Sequence, residues 1–171
     1  MIVLNRVLSG VALVSAALIL APGSAHGQES GLPLGTPAPA ALLQTLDGKS
    51  VNLATEAKGP AVIEFWAAWC ENCEALLPSM KKAYAAYGSK VKFVAVAVSV
   101  NESVARVRAH VAKYKVPGEQ LFDTRGDASD KWDVPATSYV VILDKSGKVV
   151  YTGVGGDQDM EKVVKKALNI T

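Results

Sequence analysis

The sequence predicts an α/β fold, a central mixed sheet flanked by helices on both faces. Three observations predict it. Two apolar runs, the mostly apolar AVIEFWA at 61–67 and the valine-rich VKFVAVAVSV at 91–100, have the length and composition of buried strands. Two β-rich segments, 42–53 and 138–153, each fold back around a glycine-containing turn. Stretches with helical spacing of apolar residues lie between these pieces.

Taken in order, LLQTLDGKSVNL (42–53) reads as a β-hairpin turning at Asp47-Gly48, where glycine accepts positive φ. A helix follows the first apolar strand, over 70–87, with Gly88 as a left-handed stop and Pro78 as a kink. After the second strand, Asn101 can cap a helix whose Val104, Val107 and Val111 share one face. Pro117-Gly118 ends it. LFD (121–123) reads as a short extended piece and GDASDKW as a helical turn. SYVVILD and KVVYTG form the second hairpin, and a last amphipathic helix spans about 157–168. Its start carries Asp157 and Asp159 and its end Lys165 and Lys166, which complements the helix dipole.

The 171 residues suit one domain. The N-terminus reads differently. Arg6 precedes an apolar run at 7–20, and small residues follow, with Ala25 and Gly27 spaced like a cleavage site. This is the pattern of a secretory signal peptide at 1–27, cleaved after Gly27 or, as the alternative, after Ala25. The run is shorter than a bilayer span needs, and a retained anchor is the competing reading. Residues 28–34 read as a flexible leader, and 35–171 as the folded domain. Without 1–27 the chain keeps 17 basic and 16 acidic residues, with no basic run, which argues against nucleic acid as a partner. Export places the chain in the periplasm, where a disulfide can persist.

Cys70 and Cys73 are the only cysteines. A two-residue spacing at a helix start lies within disulfide reach. Backbone N–H groups and the helix dipole there stabilise a thiolate. The first cysteine sits at the exposed end of the helix and the second one turn in, as thiol–disulfide exchange needs. Two rival uses are weaker. A staple across two residues constrains little chain entropy. Zinc needs four ligands, and only His26 and His110 could join the two thiols. His26 falls in the signal segment, and His110 reads as a solvated mid-helix residue.

EFWAAWCENC, with Pro78 five positions after Cys73, resembles the thioredoxin superfamily. Within it the chain is most similar to the exported TlpA/ResA/CcmG-type thiol-disulfide oxidoreductases. The N-terminal hairpin, the helix-plus-strand insert within 101–132 and the terminal hairpin and helix carry that similarity, over about 35–168. The resemblance implies a thioredoxin-like fold and a redox-active disulfide, with no other cofactor and no metal. It makes Cys70 the attacking thiol and Cys73 the resolving one. Trp69 flanks the attacker, and Trp66 packs beneath the active-site loop. Glu64 stands where thioredoxins keep a buried acid. Buried among Val62, Ile63 and Phe65, it would have a raised pKa and could exchange a proton with Cys73; pointing outward, it would do neither.

Glu71 and Asn72 lie between the cysteines and tune the pair. Negative charge at Glu71 and Glu74 opposes a thiolate, which favours the disulfide and lowers the potential. The chain therefore reads as a reductant of disulfides in other exported proteins, re-reduced by a membrane electron carrier, and as a monomer. Glu71 also resembles the WCExC form of cytochrome c maturation reductases, but their acid three residues after the second cysteine is Leu76 here. The superfamily places a cis-proline before its late strand. Counting back from Gly147 puts Ser138 in that position, its backbone free to pair with an extended substrate. The rival alignment makes Val134-Pro135 the cis pair, followed by Ala136 and Thr137. A Cu(I)-binding, metallochaperone-like protein is the alternative function, though Met80 and Met160 are too scattered to support it.

Overall fold

A computed structural model describes residues 31–170. The signal segment and its cleavage sites lie outside the described residues. Seven strands form one sheet: β1 (Leu42–Thr45), β2 (Ser50–Asn52), β3 (Ala61–Trp66), β4 (Lys92–Val98), β5 (Glu119–Asp123), β6 (Tyr139–Leu143) and β7 (Val149–Val154). Their order is β2-β1-β5-β4-β3-β6-β7. β3 pairs in parallel with β4, and β4 with β5, while every other pairing is antiparallel. The five helices are α1 (Leu53–Glu56), α2 (Glu71–Tyr87), α3 (Val104–Tyr114), α4 (Asp127–Lys131) and α5 (Met160–Ala167). This is the mixed, helix-flanked sheet that the sequence predicts, with α3 and β5 as its central insert. Among the described residues no helix is long and apolar enough to cross a membrane.

β3 is the axis of the fold. All six of its residues are buried, and both of its edges are hydrogen-bonded. Side chains alternate between faces along a strand. Val62, Glu64 and Trp66 therefore share one face, and Ile63 and Phe65 the other. The steps β3–β4 and β4–β5 run in the same direction, so right-handed crossovers put α2 and α3 on one face. Val62 packs with Leu76 and Met80 of α2 and Met160 of α5. Phe65, opposite, stacks against Trp132 and Tyr139 at 5.9 and 6.0 Å.

Several local expectations change. Gly88 is right-handed (φ −61°), not a left-handed stop, and its N–H continues the ladder to the Tyr84 carbonyl. Space is what demands glycine there, since a Cβ would lie 2.6 Å from that carbonyl. Asn101 does not cap α3. It takes the left-handed conformation (φ 49°), and Ser103, extended, accepts from the Arg106 N–H as the N-cap. The strand ends at Asn52, and Leu53 already belongs to a helix. The Asn52 side chain accepts from the Ala54 N–H and opens α1, a helix too short to show periodicity. The last helix starts at Met160 with Asp159 as its cap, which leaves Asp157 outside. α2 continues through Pro78 as one helix of 17 residues. Pro78 is exposed, so water can serve the Glu74 carbonyl that the missing N–H leaves.

Packing also begins before Gly35, so residues 32–34 are not a free leader. Leu32 is buried, and its N–H donates to Tyr139 Oη at 2.9 Å. The Gly35 N–H and Val149 carbonyl then bond at 2.7 Å, laying the segment along the start of β7. Tyr139→Phe should orphan the Leu32 N–H and lower stability by about 1–2 kcal/mol. A urea denaturation midpoint and faster amide exchange at Leu32 would check this.

Candidate active site

The chain leaves the buried end of β3 through residues 67–70, and α2 begins at once. Cys70 is its N-cap, with extended backbone (φ −88°, ψ 109°), and Cys73 lies one turn in. The two form a disulfide with a Cα–Cα distance of 5.3 Å. The Cys73 N–H donates to Cys70 Sγ at 3.1 Å, and the N–H groups of Cys73 and Glu74 both reach the Cys70 carbonyl at 3.1 Å. In the dithiol form the Cys73 N–H and the helix N-terminus are placed to stabilise a Cys70 thiolate. The exposed-versus-sheltered contrast does not appear in this oxidised form. Cys70 is 8% exposed and Cys73 6%, because the short loop tucks both sulfurs against the protein.

Glu64 does not point outward. It is 4% exposed, flanked along β3 by Val62 and Trp66 and across the sheet by Ala95 and Val140. It therefore lies on the face that α2 covers. Burial without a compensating charge pushes its carboxyl up to about 8. Trp66 is buried on the same face, its ring 5.1 Å from that of His110. His110 is thus half-buried, not fully solvated. It packs between Trp66 and Tyr114, and burial lowers its pKa while Glu74 and Glu102 oppose that shift. Glu71, Asn72 and Glu74 are exposed on the first turn of α2. Glu74 lies close enough to His110 and Lys113 of α3 to feel their charge.

Trp69 is 48% exposed, and its indole N–H donates to the Val100 carbonyl at 2.9 Å. Trp69, Val98, Val100, Ser129, Val134, Ala136 and Thr137 line a cleft of about 340 Å³. Pro135 is exposed in the same loop, and Ser138 is fully buried immediately before β6. Among the described residues every peptide bond is trans, including Val134–Pro135. Ser138 is left-handed (φ 60°). Its carbonyl accepts from the Gly155 N–H at 3.3 Å and from Gln158 Nε2 at 3.4 Å, and its hydroxyl accepts from Gly155 N–H at 3.1 Å. That carbonyl is therefore engaged inside the protein, not free to pair with a substrate strand. Gly156 brings the β7–α5 loop against α2, where a Cβ would sit 2.7 Å from that of Ala75.

Sequence reasoning missed Glu102, whose carboxylate accepts from the Ala68 N–H at 2.8 Å, and Gln158, which holds Ser138. Neither of these two bonds has a local signal, because Ala68 and Ser138 lie 34 and 20 residues away. Among the described residues no group of three or more His, Cys, Asp or Glu could hold a metal ion.

Glu64 makes stability depend on pH. The folded chain keeps a proton that the unfolded chain releases above the ordinary value of 4.5. Stability should therefore fall as pH rises from 4.5 to about 8 and then level off. The full span corresponds to on the order of 5 kcal/mol. Glu64→Gln should abolish this slope. Urea midpoints of the oxidised protein at pH 5 and pH 8 measure it, and equal slopes in both proteins would refute the assignment.

Comparison with known proteins agrees with this geometry. Residues 33–168 match the Redoxin family. The thioredoxin-like protein YneN of Bacillus subtilis is 33% identical over 139 residues, covering 79% of this chain and 81% of the relative. The thiol-disulfide oxidoreductase ResA of the same organism is 33% identical over 125 residues, covering 72% and 68%. A secreted Mycobacterium tuberculosis disulfide oxidoreductase homologous to E. coli DsbE superposes with a TM-score of 0.63 at 25% identity, covering 76% of this chain and 94% of that one. The fold, the CxxC pair at the start of α2 and these relatives agree: the chain belongs to the Redoxin family and is a thioredoxin-fold thiol-disulfide oxidoreductase of the ResA/DsbE type.

Proposed function

We propose that the protein works outside the cytoplasm as a reductant of disulfides in other exported proteins. The observation that carries the direction is the charge around the pair. Glu71 and Glu74 sit in the first turn of α2, where they oppose a Cys70 thiolate that the helix end would otherwise favour. A less favoured thiolate means a lower potential. Export is supported by the signal-like pattern of 1–27 and by the relative described as secreted.

In the proposed cycle the Cys70 thiolate attacks one sulfur of the substrate disulfide. That bond breaks, a mixed disulfide forms, and the departing thiolate takes a proton. Cys73 loses its proton to the ionised fraction of Glu64, and its thiolate attacks Cys70 Sγ; the second substrate thiolate departs and takes that proton. The substrate leaves with two electrons and two protons gained, and Cys70–Cys73 is left oxidised. A carboxyl titrating near 8 is matched to a thiol proton at neutral pH. The cleft beside Trp69 can seat an apolar side chain flanking the substrate cysteine. Re-reduction requires a dithiol donor that reaches across the membrane. Leu76, fully buried, stands where cytochrome c maturation reductases carry an acid, so the proposal stops at exported disulfide proteins as a class.

The reduction potential of the pair tests the direction. A value near that of thioredoxin, about −270 mV, is expected, and one near that of DsbA, about −120 mV, would reverse the proposal. Cys73→Ala should accumulate a mixed disulfide through Cys70, and Cys70→Ala should trap none. Stoichiometric Cu(I) binding without any exchange would replace this function with a metal-carrying one.

A further inference from the structure

The loop at 67–70 carries the attacking cysteine, yet few of its own atoms hold it. Its internal closure is one bond, from the Cys70 N–H to the Ala67 carbonyl at 3.1 Å. The other anchors come from the segment that follows β4. Trp69 donates to the Val100 carbonyl, and the Ala68 N–H donates to Glu102 Oε2 at 2.8 Å, across 34 residues of sequence. The Glu102 side chain has no exposure. Its other oxygen accepts from the Ser103 N–H at 2.9 Å and from Arg106 Nε at 3.0 Å. Arg106 also donates to the Asn101 carbonyl. A buried carboxylate is costly unless paired and hydrogen-bonded, and here both oxygens are satisfied.

We infer that Glu102 is a positioning residue for Cys70, acting through the backbone of the loop that presents it. Ala68 is only partly buried, so water could serve its N–H if satisfying a donor were all that mattered. The carboxylate instead gives that N–H one direction and one distance, with the strength of a charge-assisted bond. Thiol–disulfide exchange needs the attacking sulfur to meet its partner within a narrow geometry, and small misplacements are expensive in rate. None of the Glu102 bonds involves a sulfur. The clasp therefore persists in both redox states, and the loop need not reorganise during the cycle. The inference rests on the proposed attack through Cys70 and holds for electron flow in either direction.

The test uses the reduced full chain, mixed with an excess of the aromatic disulfide 5,5′-dithiobis(2-nitrobenzoate), with release of the aromatic thiolate followed by stopped flow. The reverse reaction, oxidised chain with dithiothreitol, is measured alongside. Glu102→Ala should slow both directions by about tenfold and leave the reduction potential unmoved, since positioning changes barriers and not end states. Glu102→Gln keeps an oxygen for the Ala68 N–H and should recover most of the rate. Wild-type rates in Glu102→Ala would overturn the inference. So would a slowing that tracks loss of folded protein by urea midpoint without recovery in Glu102→Gln, or a shifted potential with only one direction slowed. Absence of exchange in the wild-type chain would overturn the reading beneath it, and the inference with it.

Discussion

The rest of the molecule depends on how β3 is confined. It is buried on both faces and hydrogen-bonded on both edges, so neither its register nor its twist can drift. A one-residue slip would exchange Val62, Glu64 and Trp66 for Ile63 and Phe65 on the face under α2. The end of β3 thus fixes where the chain emerges, and the disulfide follows within four residues. The neighbouring β4 runs parallel and ends at the same side of the sheet. Its exit segment is therefore beside the Cys70 loop, and Val100 and Glu102 can reach it. Parallel pairing of two central strands places both the reactive loop and its support at one end of the sheet.

Two opposing electrostatic tendencies meet at that end. The free N–H groups of α2 attract negative charge, and Glu71 and Glu74 supply some of it permanently. The same carboxylates that steady the helix disfavour a second negative charge on Cys70 Sγ. The charge of Glu74 acts on His110 and Lys113 of α3. Beneath the helix, desolvation keeps the proton of Glu64 on. The exposed carboxyl groups of the first turn and the buried carboxyl beneath it thus lie in opposite surroundings, one in water and one in the core.

Much of this was legible in the sequence because it is written locally. The apolar runs of β3 and β4, the Asp47-Gly48 turn and the CxxC at a helix start each depend on residues within a few positions of one another. What escaped depends on distant partners or on space. Gly88 looks like a left-handed stop, yet the Tyr84 carbonyl is what excludes a side chain there. Asn101 looks like a cap, but its carbonyl is claimed by Arg106 and the cap passes to Ser103. His110 reads as solvated on its own helix and is half-buried because Trp66, 44 positions earlier, packs against it. Glu102 reads locally as no more than an i,i+4 partner of Arg106, since its bond to the Ala68 N–H reaches another strand's exit.

Ser138 shows how a sequence departure and a backbone state can support each other. Proline fixes φ near −65°, and Ser138 has φ 60°, so the conformation found here excludes proline at that position. A left-handed non-glycine residue costs roughly 1 kcal/mol or more. The offset is visible in the bonds around it: the Gly155 N–H reaches both its carbonyl and its hydroxyl, and Gln158 adds a second donor. Gln158 is held in turn, accepting from Tyr151 Oη and, through its carbonyl, from Ser79 Oγ of α2. Ser79 also accepts from the Met160 N–H at the start of α5. The turn before β6 is thereby tied to the helix that carries the cysteines, and that hydrogen-bonded turn follows Ala136 and Thr137, which line the cleft beside Trp69.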